Sequence, residues 1–297
     1  MPLETLGSLF ALGAASAWAG SILGFSRVIA SHGAFLGNLF KATLGAALFA
    51  LTAWVTGEFG QAAPGGRTVL LLVVSGLAGM AFGDYALFAS IREIGPKRAN
   101  LLHATNPIML TLWAVFVQGS QLAFNTLLGI AMVTLGTLYV IASGRKGTAT
   151  EHRVTTAGVL WGLGAGLGQA SGLLLSSQAI QDCPLYVASG LRLGGASLGM
   201  IFLCLMTGRA AILPELTRPS LLRAALVPTL IGTWLAVSMM MKAIQLGHPA
   251  IVGALLATTP IILVTLLVLT RREPFRWGQA IAVVVAVRGV ILISLGR

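Results

Sequence analysis

Leu102-His103-Ala104-Thr105-Asn106-Pro107-Ile108 has a counterpart far down the chain, Leu255-Leu256-Ala257-Thr258-Thr259-Pro260-Ile261. At the same offset Gly136 falls on Gly289, and the turns Gly95-Pro96 and Gly247-His248-Pro249 correspond within one residue. Earlier in each copy Lys41 aligns with Arg192 and Gly57 with Gly208. The chain therefore reads as two copies of one unit. Each quoted stretch lies in an apolar run and carries a proline. Proline has no N–H to donate and frees a carbonyl in the preceding turn, so the pattern predicts a helix break at Pro107 and another at Pro260.

The surroundings of those runs set the fold class. Of 297 residues, 56% are hydrophobic and 9% charged, and the mean hydropathy is +0.90. Too little charge is present to coat a water-soluble globule of this size. A bilayer-spanning helix needs roughly 20 apolar residues, and ten such runs can be delimited: 6–26, 34–56, 68–91, 99–118, 122–143, 155–179, 184–207, 220–246, 249–270 and 275–295. Lipid offers no partner to a strand edge, so the runs are helices; the alternation of a transmembrane barrel is absent. The expected fold is all-α: ten transmembrane helices in two five-helix repeats around a central cavity.

The polar stretch from Gly144 to Thr155, with Arg145, Lys146, Glu151, His152 and Arg153, separates a first repeat at 1–147 from a second at 148–297. An odd number of spans per unit forces the second copy into the opposite orientation. Inverted repeats of this kind enclose a site near the midplane that is reached from alternate sides.

Several other readings are excluded or set aside. The net charge of +11 sits in short loops at helix ends, where membrane orientation requires it, so no nucleic-acid partner is expected. Cys183 and Cys204 have no metal or redox spacing. The first run lacks the basic flank of a signal peptide and reads as a retained helix. No cofactor and no metal are expected.

A family resemblance is carried by Trp18-Ala19-Gly20-Ser21 in the first span, Lys41 in the second, the two Pro-containing runs, Arg272-Glu273-Pro274 after the ninth, and a Gly-punctuated helix closing each half. The chain resembles the drug/metabolite transporter superfamily, specifically its ten-helix EamA-type branch. The resemblance covers nearly the whole chain. It implies a multi-pass protein of the bacterial inner membrane that exports amino acids or related metabolites; other relatives carry nucleotide sugars or triose phosphates. Three positions depart from the family pattern: Gln169 stands where Trp is usual, Gly119-Ser120-Gln121 lacks an expected Glu, and Lys41 replaces a frequent Arg. These departures bear on the substrate and not on the fold.

Basic residues favour one membrane face. Loops after odd-numbered spans hold Arg27, Arg92, Lys97, Arg98, Arg145, Lys146, Arg153, Arg209, Arg218, Arg223, Arg271, Arg272 and Arg276, whereas the other face holds Arg67 and Arg297. The positive-inside rule places the odd loops in the cytoplasm and both termini outside. The family resemblance implies cytoplasmic termini.

Charge inside a span is costly unless paired, so five positions stand out: Lys41, Asp84, Arg192, Lys242 and Arg288. Lys41 and Asp84 lie at similar depth, counted at about 1.5 Å per residue. They form either a structural salt bridge or a proton-coupling carboxylate with its tuning cation. Arg192 and Arg288 have no evident intramembrane anion. They can serve backbone carbonyls and lipid headgroups, or Arg192 can take a substrate carboxylate bidentately. Lys242 is near a helix end and snorkels.

His103 and Asn106, at i and i+3, together with Thr258 and Thr259, put small polar groups beside the two breaks. Trp18, Tyr85 and Trp234 are candidate aromatic walls, with Ser21 and Ser238 nearby in sequence; Trp161 reads as an interfacial anchor. Gln169 and Ser171 are the polar members of a Gly-rich sixth span. The glycine pairs Gly79/Gly83, Gly162/Gly166 and Gly168/Gly172 read as helix-packing surfaces. The expected partners are a small-molecule solute and membrane lipid, with the chain a monomer or homodimer. The alternatives from other classes are an intramembrane enzyme and a channel. His32, His103, His152 and His248 are scattered, with no zinc or nucleophile motif.

Overall fold

The computed structural model describes residues 3–94, 99, 102–103, 105–116, 119, 121–143, 155–269 and 277–295. The Gly95-Pro96 turn, Lys97, Arg98, Ser120, Gly144 to Arg153 with the 147/148 boundary, Arg271 to Arg276 and Arg297 lie outside them.

Among the described residues every long element is helical and no strand occurs. In chain order the helices are α1 (Leu3–His32), α2 (Ala34–Val55), α3 (Gly66–Ile94), α4 (Asn106–Phe116), α5 (Phe124–Ser143), α6 (Thr156–Ala179), α7 (Leu185–Met206), α8 (Pro219–Leu246), α9 in two segments (Pro249–Leu256 and Thr259–Leu269) and α10 (Trp277–Leu295). Seven are long and apolar enough to cross a membrane by length and composition; α5 and α10 are apolar but shorter in the described part. The first helix, Leu3–His32, starts earlier and ends later than its apolar run, and Val28 in the C-terminal extension packs into a buried cluster with Leu36, Phe40 and Leu221.

The packing pattern maps onto itself when α1 and α6, α2 and α7, α3 and α8, α4 and α9, and α5 and α10 are exchanged. α1 packs on α8 as α3 packs on α6; α4 packs on α6 as α9 packs on α1; α2 and α7 pack on each other, as do α5 and α10. These last two pairs give the relative direction of the repeats. Along α2 and α7, Asn38 reaches Met200, Thr43 bonds Ser197 at 2.7 Å, and Glu58 just past α2 meets Tyr186 and Val187. As α2 advances, α7 recedes. Along α5 and α10, Gly129 faces Gly289 and Ile293, Gly136 faces Ala282 and Ala286, and Tyr139 faces Gly278. Equivalent helices run antiparallel, so the two halves are inverted.

Helix breaks fall at matching places. The chain turns at Thr105 before α4, and at Ala257-Thr258 between the segments of α9. At the second break Pro260 cannot donate to Leu256, and the Thr259 hydroxyl takes that carbonyl at 2.7 Å, while Thr137 of α5 takes the Ala257 carbonyl at 3.1 Å. A proline break is thus tolerated in lipid because side chains satisfy the freed groups. The break before α4 separates His103 from Asn106, so their expected sharing of one regular helix face does not hold.

A second matched pair was not legible in the sequence. α3 and α8 each contain a π-helical turn, at Leu77–Gly83 and Leu230–Leu235. Such turns widen the hydrogen-bond ladder and recur at functional sites. In α3 they bring Gly79 and Gly83 against Gly172 and Gly168 of α6. In α8 Gly232 meets Ser21 of α1 in the same way.

Candidate functional site

The α3 π-turn organises the polar centre. Its displaced carbonyls are used by side chains from both halves: Asn38 Nδ2 of α2 donates to Met80 O at 3.0 Å, and Gln169 Nε2 of α6 donates to Gly79 O at 3.0 Å. One turn on, Asp84 is held on both oxygens. Lys41 Nζ donates to Oδ2 at 2.5 Å, and Gln169 Nε2 donates to Oδ1 at 2.8 Å. The Lys41 and Asp84 side chains are largely buried, at 19% and 16% exposure. A buried ion pair is costly to desolvate and is strongly held once formed. The expected Lys41–Asp84 pair therefore exists, with Gln169 as a third member from the opposite half.

Arg192 approaches from α7 and is 2% exposed. Its Nη1 contacts the Met241 thioether at 3.1 Å, and Nη2 lies beside Gly79, close to where Gln169 Oε1 also points. A Cβ on Gly79 would meet both atoms at an ordinary 3.7 Å, whereas one on Gly172 would stand 2.9 Å from the Gly79 Cα, so the close approach of α3 and α6 depends on glycine at 172. Arg192 was expected to lack an intramembrane anion. The fold packs α3 beside α7, which brings Asp84 and Arg192 onto neighbouring helices. No ion pair between Asp84 and Arg192 forms. Gln169 is common to both surroundings: its Nε2 donates to Asp84 Oδ1, and its Oε1 lies beside Gly79 as Arg192 Nη2 does.

The interior also holds unused hydrogen-bonding capacity. His103 Nε2, Asn106 Oδ1, Arg192 Nε and Asn38 Oδ1 are buried without a partner among the described residues. Buried polar atoms are paired in the great majority of cases; Thr229 Oγ1 and both Gln279 amide atoms share this state elsewhere, so orphan atoms are not confined to this centre.

Toward the face of the odd-numbered loops, Tyr85 meets Trp161 edge-on at 5.9 Å and Phe35 at 6.3 Å, and Trp161 also meets Phe82. Trp161, expected as an interfacial anchor, is thus part of an aromatic cluster one residue from Asp84. Lys41 stands 5.9 Å from the Phe25 ring centre, within cation–π range.

The other sequence-selected residues are engaged locally. Ser21 donates to Trp18 O at 2.9 Å and Ser238 to Trp234 O at 2.7 Å. Trp234 Nε1, in the α8 π-turn, donates to Thr52 Oγ1 at 3.0 Å. Thr258 donates to Leu255 O at 2.7 Å. Trp18 packs on the main core, and Ser171 is half-buried on α6. Pro107 is buried, and Pro260 is half-buried. Lys242 donates to Gln245 Oε1 at 2.8 Å, near its helix end as expected. Arg288 is exposed on α10, away from the polar centre.

Asn38 and Glu58 were missed in the sequence. Asn38 is the polar interruption three residues before Lys41, a spacing that puts both on one helix face. Glu58 Oε2 accepts from Tyr186 N and Val187 N at 2.8 and 3.0 Å, placing a carboxylate at the α7 N-terminus, where helix-end N–H groups favour it.

Comparison with known proteins agrees with this architecture. The model of a family described as EamA-like transporter family matches twice, at residues 5–142 and 156–295. A solved crystal structure described only as that of a protein superposes with a TM-score of 0.78, over 97% of this chain and 96% of its own, at 20% identity. That identity supports the shared fold alone. No curated protein matches the sequence.

Proposed function

Because the chain belongs to the EamA-like transporter family, and so is a membrane transporter of the drug/metabolite type, we propose that it exports neutral or aromatic amino acids by alternating access. The observation that carries this reading is a buried carboxylate from one half and a buried guanidinium from the other that do not pair with each other. Asp84 pairs with Lys41 and not with Arg192, and the buried interior leaves His103 Nε2, Asn106 Oδ1 and Arg192 Nε without partners among the described residues. A zwitterion fits such a place: its carboxylate suits the guanidinium bidentately, and its ammonium suits Asp84 and the open Asn106 oxygen. The Tyr85–Trp161–Phe35 cluster offers a wall for an apolar or aromatic side chain. Ligand sites usually combine apolar walls with a few placed polar groups.

In this reading the π-turns of α3 and α8 and the paired breaks are where the halves bend as they rock. Lys41, Asp84 and Gln169 hold the present state closed. The site residues are Asp84, His103, Asn106, Gln169, Arg192 and Tyr85, with Trp18, Ser21, Ser171, Trp234, Ser238, Thr258 and Thr259 lining the path as the halves separate. Gradients supply the energy. The membrane is a bacterial inner membrane. Its cytoplasmic side is the odd-loop face, where Arg27, Arg92, Arg209, Arg218 and Arg223 are exposed; a reporter fused to either terminus tests this.

Solute counterflow into proteoliposomes tests the substrate. A panel of amino acids, nucleotide sugars and phosphorylated metabolites is offered against each as internal solute. Saturable exchange of neutral or aromatic amino acids is expected. Exchange confined to sugar nucleotides or phosphorylated metabolites overturns the substrate assignment, and non-saturable flux without counterflow overturns the carrier.

A further inference from the structure

The two inverted halves differ at one place that the transport reading does not use. Each repeat ends its second helix in the same way. Thr56-Gly57 closes α2 and Thr207-Gly208 closes α7, both glycines with φ near +70° (73° and 68°) and both caps bonded back to the last turn. The loops then diverge. After α7 the chain runs Arg209-Ala210-Ala211-Ile212-Leu213-Pro214-Glu215-Leu216 and folds into a 3-10 helix, Ala210–Thr217. Ile212 and Leu216 pack onto Leu36, Phe40, Leu44 and Leu221, covering the surface between α2 and α8. After α2 the chain runs Glu58-Phe59-Gly60-Gln61-Ala62-Ala63-Pro64-Gly65. Phe59 is its one large apolar residue, and the loop does not cover the corresponding surface between α7 and α3.

What remains is a groove of about 590 Å³. Ala46 and Ala50 of α2, Val73 and Leu77 of α3, and Gly194 and Leu198 of α7 form its walls, with Phe59 at the loop end. Almost no polar atom lines it. Its lining residues Leu198 and Phe202 are 68% and 63% exposed, so the groove opens sideways from the spans. Along α7 it extends from Tyr186 to Phe202, about 24 Å at ~1.5 Å per residue. That exceeds the roughly 15 Å depth of one leaflet, half of a ~30 Å core.

We propose that this groove holds one acyl chain of a bilayer phospholipid, with the lipid phosphate at the level of Arg67. An apolar trough open to hydrocarbon is filled by hydrocarbon. A helix of a second copy is too wide to enter it: at about 10 Å across, a stretch of this length occupies roughly 1,900 Å³, so a helix would lie across the mouth and leave the trough itself to a thinner guest. Arg67 is exposed in the first turn of α3, less than two turns before Val73. It is the described cation at the loop end of the groove, and a guanidinium suits a phosphodiester.

Gly194 makes the test clean. A Cβ there meets nothing within 4 Å, and Gly190 beside it has only ordinary contacts. The Gly194→Leu, Ala50→Leu variant projects larger side chains into the groove from two of its walls. The protein is reconstituted with a phospholipid bearing a photoreactive acyl chain, chased with excess unlabelled lipid, irradiated and mapped by peptide mass spectrometry. Label in the groove is expected to outlast label at Leu128 and Ile291, which are exposed on α5 and α10, by at least tenfold in exchange half-life. The filled variant is expected to lose the persistent label while keeping its melting temperature. Arg67→Gln, outside all packing, shortens the half-life without filling anything, and so carries the test if the filled variant fails to fold. Persistent label in the filled variant overturns the proposal. So does groove label exchanging as fast as at the two control positions.

Discussion

Gln169 Nε2 joins the halves of the protein by donating to Asp84 Oδ1 at 2.8 Å, while the same amide nitrogen reaches Gly79 O at 3.0 Å. One side chain of the second repeat thus fixes both the carboxylate and the π-turn of the first. Gln169→Leu removes both bonds and leaves two buried acceptors. Losing the partner of a buried acceptor costs about 1–3 kcal/mol, so the detergent-solubilised variant is expected to melt several degrees lower and to show reduced counterflow. Gln169→Glu places a second carboxylate against Asp84 and is expected to be worse than Leu at pH 7. Equal melting temperatures for the three proteins would show that the bridge carries no stability.

The Lys41–Asp84 pair admits two roles that one double variant separates. Lys41→Met strands a buried carboxylate and Asp84→Asn strands a buried ammonium; breaking such a pair costs about 3–5 kcal/mol. Lys41→Met with Asp84→Asn removes both charges and is expected to recover most of the melting temperature. If the pair is purely structural, transport recovers with it. The transport reading expects transport to stay at least tenfold down, measured as counterflow in proteoliposomes at matched protein content.

Much of this centre was legible before any coordinates. Lys41 and Asp84 were recognisable because charge in an apolar run demands a partner, and their equal depth named that partner. Pro107 and Pro260 announced helix breaks because proline has no other tolerated effect in the middle of a span. Gln169 was conspicuous only as a departure from the family pattern; nothing in its neighbourhood says that it faces Asp84, since that contact depends on how α3 and α6 pack. The Arg192–Asp84 proximity was missed for the same reason. The π-turns have no composition signature, and Asn38 and Glu58 matter only through backbone groups that other helices present. Local propensity and charge are written in the sequence, whereas cross-helix geometry is set by the packing of Gly79, Gly83, Gly168 and Gly172.

Arg192→Gln tests the guanidinium without emptying its space. The substitution keeps hydrogen-bonding capacity and removes the charge, so a carboxylate-bearing solute loses a charge-assisted contact worth roughly 1.5–3 kcal/mol. KM for counterflow is expected to rise about tenfold or more at that magnitude, with little loss of melting temperature, because a buried charge is expensive to keep. An unchanged KM with a large drop in stability would make Arg192 a structural residue.

His248 gives the α9 start a pH dependence. It is the N-cap of the Pro249–Leu256 segment, accepting from Ala250 N at 3.2 Å through Nδ1. Burial holds the imidazole below its ordinary value of 6.5, against the opposing effect of Glu4. The neutral ring is therefore the native form. Its stabilising contribution is complete above pH 6.5 and falls as pH drops below it, since the unfolded chain then binds the proton more readily. Protonation also removes the Nδ1 acceptor. Amide exchange at Ala250 is expected to accelerate between pH 7.5 and 5 in the native protein and to be fast and less pH-sensitive in His248→Ala, once the intrinsic pH dependence of exchange is subtracted.

Cys183 reports on the loop face near α7. It is 5% exposed, and burial, followed by the nearby Glu58 carboxylate, pushes its thiol up to about 11. The thiolate is the reactive form, so maleimide labelling in the resting state is expected to be slow at pH 7 and to rise about tenfold per pH unit until the thiol titrates. Glu58→Gln removes the second cause and the cap on Tyr186 and Val187 together, so labelling should speed up through both a lower pKa and a looser α7 start. The two effects separate by pH: a lower pKa moves the midpoint of the rate profile, whereas looser packing raises the rate equally at all pH values. A Glu58→Gln profile with neither change would show that Glu58 neither acts on the thiol nor holds the helix end.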